Sequence, residues 1–169
     1  MEDSTTQREQ ISTDAIKERL AVYPRLLRDI ANQRKRLEAF EETYGVPPSP
    51  NYSGMPKSVS NISTPTANAA ERKAELEERV KAKEAKAEEE RLYLENLFEE
   101  LNDPDECFLM QLKYIDLKEW EDISFALFGD CKDFIEKEDS YKQRAYRIHG
   151  RALFNLARIY AEVTDSKTK

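Results

Sequence analysis

Apolar residues recur at Ile16, Leu20, Tyr23, Leu27, Ile30 and Leu37, with Arg34 in the same line. This alternation of fours and threes predicts a long helix bearing a coiled-coil stripe. Pro24 lies inside it and must either kink the helix or open a second one in its first turn, because proline cannot donate the backbone bond. Gly45, Pro47 and Pro48 end the pattern. It resumes at Leu76, Val80, Ala87, Leu94, Leu97 and Leu101, with Lys83 and Glu90 at stripe positions, and predicts a second helix roughly 50 Å long. Between them, residues 45–66 carry Pro47, Pro48, Pro50, Pro56 and Pro65 and predict a linker. Two helices of matched length joined in this way can fold back as an antiparallel hairpin over residues 12–101. The stretch KAKEAKAEEE has little to bury, which keeps a solvated single helix as the alternative.

Asn102-Asp103-Pro104 breaks the second helix, and residues 102–163 have a different character, dense in aromatic and aliphatic side chains. Three shorter helices are expected. The first, DPDECFLMQLKYI, would turn Phe108, Leu109, Leu112 and Ile115 inward. The second, KEWEDISFALFG, places Trp120, Ile123, Ala126 and Leu127 at helical spacing and ends at Gly129. An acidic loop from Asp130 to Asp139 sets five carboxylates against Lys132 and Lys137. The third helix is expected to begin at Ser140, with Gln143 completing a capping box, and to bury Ala145, Ile148, Ala152, Leu156 and Ile159 beside Leu153.

Composition narrows the function classes. Charged residues make up 36% of the 169 and apolar residues 39%, the balance of long helices and not of one large core, so the fold class is all-α. Four glycines, at 45, 54, 129 and 150, argue against a glycine-rich phosphate loop. Cys107 and Cys131 form no CxxC pair, so no metal or cofactor is expected; Cys107 suits the core and Cys131 a loop. No apolar run approaches a membrane span and the N-terminus has no signal-peptide pattern, so the expected location is the cytoplasm, away from membranes. The one histidine, His149, lies in a basic helix and is expected to face solvent or DNA, so the chain is not expected to be an enzyme.

That third helix concentrates the chemistry. Lys142, Arg144, Arg147, Arg151 and Arg158 occur with no carboxylate between Tyr141 and Ala161, in a chain of net charge −7. Screening limits charge effects to roughly 8 Å at physiological salt, so one basic helix can meet phosphate while acidic regions point away. A solvated basic face is the bland alternative. A short helix, a second helix at a turn and then a basic helix form the order in which a helix-turn-helix reads the major groove.

The segments Tyr114-Ile115-Asp116, Trp120-Glu121-Asp122-Ile123 and Arg151-Ala152-Leu153 resemble the helix-turn-helix of sigma-factor region 4. With YPRL at 23–26, GMPKSVSN at 54–61 and RALFNLARIY at 151–160, the chain resembles the ArpU family of phage transcriptional regulators, relatives of the RinA-type late activators. The resemblance implies a DNA-binding transcriptional regulator, an activator of late genes in a bacterial host. Its partners would be promoter DNA, a second copy of itself and RNA polymerase. It places Lys142, Gln143 and Tyr146 at base-reading positions, with Arg144, Arg147 and Arg151 beside them. The long acidic loop and Leu117, where a glycine or small turn residue is common, depart from the family pattern. The alternatives are a coiled-coil adaptor using Trp120, Phe125 and Phe128, or a small terminase-like DNA-recognition subunit.

Overall fold

Proline and glycine mark several of the helix boundaries in a computed structural model that describes residues 13–44 and 65–167. Residues 13–20 (α1) are helical and Ala21 interrupts them; α2 spans Val22–Tyr44 with Pro24 in its first turn, where a missing N–H costs least. Then come α3, Pro65–Glu99; α4, Pro104–Tyr114; α5, Trp120–Phe128; a short 3₁₀ turn, Ile135–Lys137; and α6, Glu138–Lys167. No strand occurs among the described residues, so the all-α class holds. The expected linker and the GMPKSVSN motif lie almost wholly outside the described residues, except that α3 already begins at Pro65.

The chain divides into two compact units, whose boundaries fall within α2 and α3. One comprises residues 26–87. Here Ile30, Val80 and Ala87 are buried, while Leu27, Leu37, Phe40 and Leu76 are only half-buried. Charges do much of the cross-linking: Lys83 bonds Asp29, Arg34 reaches Glu84 at 2.5 Å and Lys73 reaches Glu41 at 2.7 Å. Rising numbers on α2 meet mostly falling numbers on α3, so the paired segments run antiparallel. Arg34 and Lys83, which interrupt the apolar stripe in the sequence, are thus paired across the helices.

The other unit combines residues 13–25 with 88–167. Ile16, Leu20, Leu94, Phe98, Leu109, Met110, Ile123 and Leu156 are fully buried. Glu90, the remaining polar position of the stripe, is ion-paired with Arg19, whose guanidinium also lies 4.2 Å from the centre of the Tyr93 ring. The helix end at residues 99–104, expected to divide two domains, lies inside this unit. Helices α4, α5 and α6 pack pairwise. Asp103 caps α4 by accepting a bond from the Asp105 N–H at 3.0 Å, and Pro104 fills the first turn. The chain leaves α4 through Leu117, at φ 55°, while the Lys118 N–H reaches back to the Leu112 carbonyl at 2.9 Å. At Gly129 an added Cβ would come within 2.6 Å of the Phe125 carbonyl, so α5 can close there only on glycine.

Three expectations need correction. Phe108 is 43% exposed and Ala126 is exposed; Met110, with Leu109, supplies the inward side of α4. The helix expected from Ser140 starts at Glu138, so Ser140 lies within its first turn. The acidic stretch is not an open loop. Its Phe134 is buried, with rings of Phe125 and Tyr141 at 5.8 and 5.5 Å, and its backbone turns through Phe134 N–H to Cys131 carbonyl and Lys137 N–H to Asp133 carbonyl bonds. The chain is therefore already wound when it enters α6.

Candidate nucleic-acid interface

Helix α6 has two faces. Ala145, Ile148, Ala152, Leu153, Leu156 and Ala157 are buried. The opposite face exposes Gln143, Arg144, Arg147, Gly150, Arg151, Phe154 and Arg158, whose spacings of three, four and seven form one stripe. Ile159, expected in the core, is half-buried.

The six residues singled out from the sequence lie in different settings. Lys142 is half-buried and bonded to Glu121 of α5; the pairing raises the lysine pKa and lowers that of the carboxyl. Arg144 holds its guanidinium 4.9 Å from the centre of the Phe128 ring. Tyr146 turns away from the exposed stripe and packs edge-on against Trp120 at 4.5 Å. Arg151 donates from Nε to Glu106 at 2.5 Å and from Nη2 to Asp103 at 2.6 Å. Gln143 and Arg147 are exposed and make no hydrogen bond or ion pair with another described residue; Arg158, on the same stripe, is also unengaged.

The Arg151 cluster was not expected. Glu106, only 1% exposed, accepts from Arg151 and from Asn155 Nδ2 at 2.8 Å, so a buried carboxylate ties the first turn of α4 to the middle of α6. The pairing, with Glu106 as its largest cause, raises the Arg151 pKa. A sequence signal existed: Glu106 stands three and four residues before Leu109 and Met110, which puts it on the buried side of the helix. Arg151 therefore ties α4 to α6 while its side chain stays more than half exposed.

His149 also departs from expectation. It points inward, shares a 3.0 Å hydrogen bond with the Tyr114 hydroxyl and lies edge-on to Trp120 at 5.2 Å. Burial first, then the positive charges of Lys113 and Lys17, lowers its pKa to about 4, so the ring is neutral at physiological pH. Lys113 sits 4.9 Å from the centre of the Trp120 ring, closing an aromatic cluster at the junction of α4, α5 and α6.

Beside the stripe, the expected acidic loop is partly neutralised. Asp133 accepts from Lys137 at 2.8 Å and from the Tyr141 hydroxyl at 2.7 Å; these bonds lower its pKa to about 2 and raise that of Tyr141. Asp130, Glu136, Glu138 and Asp139 remain exposed. Cys107 is half-buried, with burial raising its thiol pKa, and Cys131 is exposed. Among the described residues, no cluster of His, Cys, Asp and Glu could hold a metal ion, and no helix is long and apolar enough to cross a membrane.

No family model, no curated protein and no solved structure matches this chain.

Proposed function

We propose that the chain is a sequence-specific DNA-binding protein that enters the major groove with the N-terminal half of α6. The observation that carries this reading is the exposed stripe on that helix. Gln143, Arg147 and Arg158 project there without a carboxylate partner, and no acidic residue occurs from Ser140 to Ala161. Arginine is the side chain best suited to phosphate and guanine edges, and glutamine to adenine. Helices α4 and α5 brace α6 from its buried side, as a reading helix requires. Lys142, Tyr146 and Arg151 act as structural supports within this reading, and Arg144 is held over Phe128.

The resemblance to the ArpU family sharpens the proposal to a phage-type transcriptional regulator that activates late genes and works beside RNA polymerase in a bacterial host. The helices of residues 12–101 would then supply self-association. A second reading, a protein-docking adaptor, draws on Ile135, 91% exposed, and Phe125, 64% exposed, both on the surface of the same unit.

Fluorescence anisotropy with labelled duplexes, read across a salt series, tests the proposal. Arg147→Ala should weaken binding to every sequence and flatten the logarithmic salt slope by about one. Gln143→Ala should instead lose discrimination at one base pair, by about 1–3 kcal/mol. Folded variants that both bind like the parent would overturn the assignment, and a chain with no salt-dependent duplex binding would leave the adaptor reading in its place.

A further inference from the structure

Gly150 lies in the middle of α6, on the exposed stripe, one turn beyond Arg147 and one turn before Phe154. Glycine is the poorest helix former after proline. Such a position is usually explained by a positive φ or by a neighbour that leaves no room for a side chain. Neither applies: no glycine among the described residues has a positive φ, and a Cβ built at Gly150 would meet nothing within 4 Å. Gly129 shows the contrast, since its Cβ would collide with the Phe125 carbonyl. The cost of Gly150 to the helix is thus not offset inside the chain.

We infer that Gly150 is the point at which the sugar–phosphate backbone of a bound duplex passes closest to α6. The inference rests on the DNA-binding reading and specifies how the helix leaves the groove. Gly150 lies about 10 Å along the axis from Gln143, comparable with a major groove about 12 Å wide. A helix that reads a base edge at Gln143 and meets phosphate from Arg147 onward therefore runs against the wall of the groove at this turn. Bare helix backbone at Gly150 lets the wall come close. Phe154, 49% exposed on the next turn, offers its ring to a deoxyribose, while Arg147 and Arg158 take phosphates on either side. A second protein helix could also use a bare glycine for close approach, but the unpartnered arginines flanking Gly150 favour a phosphate-bearing partner.

The test uses the full chain, a labelled random-sequence duplex at low salt, thermal melting and sedimentation. Gly150→Ala should raise the melting temperature by a few degrees, since alanine is the better helix former, yet bind the duplex several-fold more weakly. Gly150→Leu, still folded, should lose tenfold or more. Ala31→Leu, an exposed helical position in the 26–87 unit, serves as the control and should bind like the parent. Parental affinity in Gly150→Leu, with Arg147→Ala weakened, would overturn the close approach and leave the DNA-binding reading standing. A shift in sedimentation with unchanged duplex binding would overturn it in favour of a helix–helix contact between copies. If the parent shows no salt-dependent binding to duplex, both the reading and this inference fail.

Discussion

The two units of this chain draw on the same pair of long helices and are held together by different forces. Residues 26–87 bury a thin apolar line and lean on Lys83–Asp29, Arg34–Glu84 and Lys73–Glu41, all at or near the surface. Residues 13–25 with 88–167 bury large side chains from every helix in the unit, and a carboxylate network beneath them is satisfied by Arg151 and Asn155. Exposed ion pairs contribute little each and are screened by salt, whereas buried apolar side chains contribute several-fold more. The proposed reading helix thus belongs to the unit with the deeper core. A helix that must hold side chains to a fraction of an ångström against base edges needs such support.

The comparison predicts unequal responses to truncation, the largest effect expected. Phe98→Ala, at a fully buried position, should cost about 3–5 kcal/mol, whereas Leu76→Ala, half-buried in the other unit, should cost about 1 kcal/mol. Urea unfolding followed by circular dichroism measures both. Equal losses would mean that the units do not differ in the way their packing implies.

The same contrast explains what could be read beforehand. Ile16, Leu20, Ile30, Val80, Leu94 and Leu97 lie on the buried line that their spacing predicts, because helix periodicity determines which side of a helix turns inward. Polar interruptions at Arg34, Lys83 and Glu90 could be located in the stripe, but their partners could not, since pairing depends on how two helices are set against each other. Gln143 and Arg147 were expected on an outer face and are found there. The partners of Arg151 and Tyr146 were not legible for one reason: a helix position adjoining the buried face can be claimed by a neighbouring helix, and only the packing of α4 and α5 shows which neighbour claims it. Leu117 was legible as an oddity, a bulky residue where glycine is common, and its φ of 55° gives the physical meaning.

Acid should separate the units next. A neutral base in the folded state loses stability as protons become available, because the unfolded chain binds them first. For His149 the contribution is complete above its ordinary pKa of 6.5 and is lost as pH falls from there toward about 4. With part of the ring open to water, the loss should reach about 1–2 kcal/mol. Asp133, lowered from 3.8 to about 2, acts below that window, and Glu88 and Glu121, lowered from 4.5, enter at its acid end, so the range from pH 6.5 to about 5.5 isolates the histidine. Urea midpoints should fall across this range for the parent and stay flat for His149→Gln. A parental slope in the variant would assign the effect elsewhere.

A smaller gain is expected where the deeper unit carries backbone strain. Leu117 holds a left-handed conformation that costs an L-residue roughly 1–2 kcal/mol, and its side chain is 43% exposed, so little packing would be lost on replacement. Glycine relieves the strain but makes the unfolded chain more flexible, which returns part of the benefit. Leu117→Gly should therefore stabilise by about 0.5–1 kcal/mol, seen as a rise in melting temperature. A fall would show that the half-exposed leucine contributes more by contact than its conformation costs.

The smallest effect concerns salt, and it bears on whether charge holds the 26–87 unit at all. Raising the salt to 1 M shortens the Debye length to about 3 Å and screens exposed pairs such as Arg34–Glu84. Hydrophobic burial does not weaken in the same way, and with many salts it strengthens. Amide exchange in α2 and α3 between residues 26 and 87 should then accelerate up to about threefold, while α4 to α6 stay unchanged or slow slightly. The sign of the difference is more informative than its size. If both units slow together, apolar contacts at Ile30, Val80 and Ala87 would be sufficient to hold the helices together, and the ion pairs would serve mainly to set their register.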